Sequence, residues 1–332
     1  IDSGFVVAAI VPMIVVMITG ENHLRTAWRV CLGLGVIPPL SLLYLRTKLD
    51  EPEAYKRGTM KHAKTPWWLV IKFYWSPLII ASLIWFIYDV SAYSFGLYLS
   101  SILTNLLGGE DASTSAPLWK SFGWNTLLTF FYMPGCILGS FLSDIPWLGP
   151  KRTITGALIL QGVVGFIMAG CYGPLSKIQN VGGFVVMYGI FLALGEVGPG
   201  DHVGLYASKT SATAVRQVSN AVNLQHLLTR RSSGQYYGIA AAWGKVGAFV
   251  GTQVFPIIQD NAPNAIRAGQ DPFFAGSALA IFSGVVAWFC LPDITQETIE
   301  EEDLRFREYL AKNRYDVSKM GLQRSERTET FE

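Results

Sequence analysis

The sequence predicts an all-α membrane protein, a helical bundle, and three observations carry that reading. The chain is 51% hydrophobic and only 15% charged over 332 residues, where a soluble domain carries about 25% charged residues. Its apolar residues gather into long runs, each near the ~20 residues that cross ~30 Å of hydrocarbon. Nearly all the basic residues lie in the connections between those runs and in the tail, most of them on one side.

Eight spans follow in order: roughly Ser3–Thr19, Trp28–Tyr44, Trp75–Leu99, Phe122–Leu142, Thr153–Tyr172, Gly183–Leu205, Gly238–Ile258 and Phe273–Leu291. The segment 45–74 holds Arg46, Lys48, Lys56, Arg57, Lys61, Lys64 and Lys72. On the same side fall Lys151 and Arg152, then Lys209, Arg216, Arg230 and Arg231, then the tail from Arg305 to Arg327. The opposite connections hold Arg25, Lys120, Lys177 and Arg267. Basic loops face the cytoplasm, so the long loop and the C-terminus are expected there. Net charge of +2 argues nothing for nucleic acid. No nucleophile–base set, metal cluster or nucleotide-binding loop points to an enzyme. The four cysteines lie in apolar stretches without metal or redox spacing, and read as small buried hydrophobes.

Two spans before a long basic loop and six after it make half of a symmetrical twelve-span plan, plus a remnant. The chain therefore divides into residues 1–44, the last two helices of an N-terminal half; 45–74, a central cytoplasmic loop; 75–292, a C-terminal six-helix half; and 293–332, a cytoplasmic tail. It opens on Ile1 and runs at once into an apolar span, which reads as a fragment lacking four upstream helices. The acidic start of the tail at Glu297–Asp303 suits an amphipathic or disordered end.

The third span carries the chemistry. Trp85, Asp89 and Tyr93 are four residues apart and share one helical face. A carboxylate at membrane depth costs at least ~2.5–3.5 kcal/mol, so Asp89 must face protein or a water-filled cavity. It serves a substrate or proton site, or it holds helices together. The sixth span is interrupted at Gly195-Glu196-Val197-Gly198-Pro199-Gly200-Asp201. Backbone broken at membrane depth is tolerated only inside protein or against a cavity, which makes Glu196 a candidate for a midplane site. His202 is expected at the interface. In the seventh span Lys245 lies too deep to reach water easily and needs an anion: Asp89, Glu196 or a bound phosphate. Gly244, Gly247 and Gly251 around it suit close helix packing.

The loop SFLSDIPWLGPKR, with Asp144, Gly149, Lys151 and Arg152, resembles the cytoplasmic loop signature of the major facilitator superfamily, with Ser140 for the leading Gly and Ile145 for the Arg. An acid at a helix end, a glycine turn and paired bases can tie neighbouring helix ends together. More specific are WFIYDVSAYSFG, EVGPGD and GQYYGIAAAWGKVGAFVG. Together they resemble fungal transporters of the phosphate:proton symporter group, nearest to the glycerophosphoinositol and glycerophosphocholine permeases. The resemblance implies a partial twelve-helix bundle, about eight helices of it, and places Trp85, Asp89 and Lys245 at a phosphate site, with Tyr93 and Glu196 beside them as substrate-binding residues. It implies proton-coupled uptake of a glycerophosphodiester, with Asp89 taking the coupling proton and the proton gradient, rather than a cofactor, as driving force. The partners expected are a small anionic organophosphate, protons and the lipid bilayer, for a monomer in the plasma membrane that contacts no nucleic acid. The symporters carry Asn-Phe-Gly-Pro-Asn at Glu196–Gly200, and the small Gly200 would leave room for a larger head group. An inorganic phosphate symporter, a sugar permease, a non-transporting sensor or an inactive truncated product are the alternatives. Relatives pass directly from Ala-Val-Arg to Gly-Gln-Tyr-Tyr-Gly, whereas here Gln217–Ser233 intervenes, as a retained intron or a loop insertion.

Overall fold

A computed structural model describes residues 2–48, 66–108, 118–210, 235–294 and 298–317. The proposed insertion 217–233, most of the central loop and the end of the tail lie outside the described residues. Those described form helices and their connections, with no strand among them.

The first predicted span is α1 (Asp2–Thr19). The second is two helices, α2 (Leu24–Gly35) and α3 (Ile37–Arg46). Pro38 and Pro39 begin α3 because a helix start needs no amide donor there. The third span is much longer than its apolar core: α4 runs from Trp67 to Gly108, 42 residues. At 1.5 Å per residue that is ~63 Å, twice the hydrocarbon thickness, so both ends must project beyond it. The expected loops on either side of this span are correspondingly shorter.

The fourth span comprises α5 (Leu118–Phe130) and α6 (Tyr132–Asp144), broken at Phe131 just before Pro134. α7 (Gly149–Gly170) is the fifth. The sixth is α8 (Val181–Gly195), one π-helical turn over Glu196–Gly200, and α9 (Asp201–Lys209). Gly198 leaves helical geometry at φ −95°, ψ −105°, ahead of Pro199. His202 is buried within the protein, its Nδ1 2.8 Å from the Gly198 carbonyl beside the break.

The last spans are α10 (Gln235–Asp260) and α11 (Ala265–Cys290), and the tail folds as α12 (Thr298–Lys312). Seven stretches among the described residues are long and apolar enough to cross a membrane, one fewer than the eight expected. The difference is α10, which has the length but is diluted by Lys245, Gln253, Thr252 and its glycines. A helix of that composition needs neighbours rather than lipid around it.

Two helix pairs frame the bundle: α4 against α10, and α7 against α11. Between them lies an aromatic core in which Phe95 meets Tyr188, Phe191, Phe255 and Phe273 at 5.0–6.0 Å between ring centres. Cys171 and Cys290 are exposed and Cys31 and Cys136 half-buried, so the four are not core residues. An apolar face turned outward in a membrane protein accommodates them as well as an apolar interior does.

Candidate functional site

α4 and α10 run parallel, and glycine lets them touch. A Cβ at Gly247 or Gly251 would overlap the carbonyl of Phe86 or Val90, and one at Gly244 would strike the Trp85 indole. Such an approach leaves space only for side chains at the edge of the seam, and there the predicted residues meet. Lys245 Nζ lies 3.4 Å from Asp89 Oδ2, hydrogen-bonds the Tyr93 hydroxyl, and sits 4.1 Å from the centre of the Tyr93 ring. The Trp85 ring packs edge-on against Tyr237 at 5.4 Å.

Burial divides the ion pair. The Asp89 side chain is 3% exposed and that of Lys245 60%. The carboxylate lies within the protein while the lysine side chain is largely exposed. A buried carboxylate depends on its partner, since removing one member strands the other charge. An anion that engaged Lys245 would compete directly with Asp89.

Glu196 does not join this group. It accepts a hydrogen bond from the Tyr88 hydroxyl at 3.2 Å. Its carboxylate also fills the volume that a side chain at residue 200 would need, with Oε2 and Cδ against the Gly200 position. The space expected to admit a larger head group is therefore occupied by Glu196 itself. Asp201, Cys136 and Asp2 approach one another nearby, with their ligand atoms within 4.8 Å. Tyr88 was legible only as one aromatic beside Asp89 in an apolar run; its reach to Glu196 crosses 108 positions of sequence.

The loop residues are separate from both groups. Gly149 adopts φ +63°, a turn that favours glycine. Arg152 donates to the Trp147 carbonyl, and Lys151 lies 6.0 Å from the Trp288 ring centre. Asp144 forms no ion pair among the described residues, so these bases brace the turn and α11 rather than the acid.

The described residues thus form a multi-pass membrane bundle with a lysine–aspartate pair between two long helices. Comparison with known proteins finds transporters. The chain is 46% identical over 327 residues to the major glycerophosphoinositol permease of Candida albicans and 44% identical over 325 residues to a glycerophosphocholine permease of that species. Each alignment covers 97% of this chain and 56% of the relative, so the chain spans little more than half the length of these relatives. An inorganic phosphate transporter of Toxoplasma gondii is 25% identical over 271 residues, covering 79% of this chain and 42% of the relative. These relatives are named as permeases and transporters, not enzymes. No protein-family model matches. By sequence the chain is similar to fungal glycerophosphodiester permeases and, more distantly, to phosphate transporters.

Proposed function

We propose that this chain contributes to a proton-coupled carrier that takes up a glycerophosphodiester across the plasma membrane, with its C-terminus in the cytoplasm. The observation that carries the reading is the Lys245–Asp89 pair, whose lysine is open and whose aspartate is buried. A phosphodiester carries one negative charge and no proton of its own near neutral pH. Approaching Lys245, it substitutes for Asp89 as the ammonium's partner. The released carboxylate, 3% exposed, is then a charge without compensation and takes up a proton. Substrate and proton so enter together, and the occupied site gains no net unpaired charge. Tyr93 steadies Lys245 through its hydroxyl and ring. Trp85 offers the substrate a flat apolar wall. Glu196, hydrogen-bonded to Tyr88 at the break in the helix, would reach the substrate only by leaving the space over Gly200.

In this reading 75–292 acts as one six-helix half that rocks against the other, whose last two helices lie in 1–44, about the central loop. The gradient of protons is the energy source, the working unit is a monomer, and the bilayer is the solvent of its outer face. The test is uptake of labelled glycerophosphoinositol or glycerophosphocholine by cells bearing the full-length protein. Asp89→Asn should keep membrane insertion yet abolish accumulation against a gradient. Undiminished proton-driven accumulation in that variant would refute the assignment. Unlabelled glycerophosphodiesters should compete better than inorganic phosphate at equal concentration, and the reverse ranking would assign the site to phosphate.

A further inference from the structure

The glycines of α10 fix how close it comes to α4. Past the level of Lys245 and Asp89 the two helices are keyed by Phe95 against Phe255, 5.2 Å between ring centres. At their shared start the tail adds a second key. α12 buries Phe306 and Leu310 in a cluster with Val70 and Tyr74 of α4 and Tyr236 of α10. The Tyr74 ring lies 5.4 Å from Phe306 and 5.7 Å from Tyr236, and Phe73 lies 5.7 Å from Phe306 and 4.7 Å from Tyr309. The Tyr236 hydroxyl is 3.3 Å from Thr210 at the end of α9. The next residue, Tyr237, touches Trp85.

We infer that α12 is a positioning element for the substrate site: Phe306, acting through Tyr74 and Tyr236, sets the register of α10 on α4 and so the distance from Lys245 to Asp89. One residue of slip would move Lys245 by ~1.5 Å along the axis, enough to break a 3.4 Å contact. The inference rests on the carrier reading for its functional consequence, though not for its geometry.

The experiment uses full-length protein with its native cysteines replaced and spin labels at Trp75→Cys on α4 and Phe249→Cys on α10, two outward-facing positions. Phe306→Ala should shift or broaden the label-to-label distance by about 1.5 Å or more. The same variant should raise the KM for labelled glycerophosphodiester about fivefold or more, with a smaller change in maximal rate. Phe306→Leu should restore both, and Leu310→Ala, a milder change, should show the same pattern more weakly. An unaltered distance in both alanine variants overturns the inference. So does an altered distance with unaltered KM, which would make α12 a prop without influence on the site. Should the unsubstituted protein take up neither diester, the carrier reading fails by itself, and the spin-label distances still decide whether α12 sets the register.

Discussion

The two helix pairs that frame the bundle solve the same packing problem with different chemistry. Along α7–α11, glycines come from both helices: a Cβ at Gly162 would meet Ile281 and Ser277, and one at Gly284 would meet Ile159 and Leu158. Along that seam Thr155, Ser277 and Ser283 have none of their side-chain oxygens partnered among the described residues, and the Gln270 amide donates to the Ala169 carbonyl at 2.8 Å. Along α4–α10, all three close-packed glycines lie on α10, and a carboxylate meets an ammonium. Small residues alone explain close packing in both places. Lys151 reaches Trp288 at one end of the first seam, but among the described residues only the second holds an ion pair across it, which packing does not require and which is costly at that depth. That contrast, more than the glycines, locates the site.

Steric replacement should break the comparison most severely. Gly251→Val drives a branched side chain into the Val90 carbonyl, and backbone cannot turn aside. It should cost at least ~3 kcal/mol and leave little folded protein, as read by thermal melting of the purified full-length chain. Gly284→Ala, whose Cβ would meet side-chain carbons at 3.2–3.3 Å, should change stability by less than ~1 kcal/mol, because improved helix propensity offsets the crowding. Equal effects at the two seams would show that α4 and α10 separate more readily than their geometry implies.

Exchanging polar groups sharpens it. Lys245→Gln should raise the KM for the diester about tenfold or more, since a charge-assisted contact to the anion is lost. It also strands the Asp89 carboxylate, 3% exposed, so some loss of stability should accompany it, relieved where Asp89 takes up a proton. Ser277→Ala removes a hydroxyl without a partner and should leave uptake unchanged and stability unchanged or slightly higher. A fall in uptake for Ser277→Ala comparable to that for Lys245→Gln would erase the functional distinction between the seams.

The smallest effect concerns the tail that closes one of them. Burial raises the Glu302 carboxyl above its usual range, opposed by a hydrogen bond from Tyr74 and by Arg305. A group raised in the docked state favours docking while protonated, so that contribution is present at low pH and is lost as pH climbs through the raised value. A spin label at Leu304→Cys, an exposed position of α12, should therefore become modestly more mobile over that interval. Glu302→Gln should flatten the dependence, and a persistent pH response in that variant would assign it to another group.

Much of this was legible along the chain because it depends on local sequence. Hydropathy marks each span, the four-residue spacing puts Trp85, Asp89 and Tyr93 on one face, and Gly-Pro-Gly announces the break near Glu196. Lys245 declared itself by depth alone. The sequence could not choose among its three anionic candidates, because that choice depends on how α10 lies on α4 across 156 positions. Tertiary structure gave Asp89 to Lys245 and Glu196 to Tyr88, and folded the Glu196 carboxylate into the space over Gly200. It also turned His202 inward to the Gly198 carbonyl, and docked a polar tail on the start of two spans through Phe306 and Leu310. The reason is common to all five. Composition and period report which face of a helix must be covered, while the partner that covers it is set by packing between segments far apart in the chain.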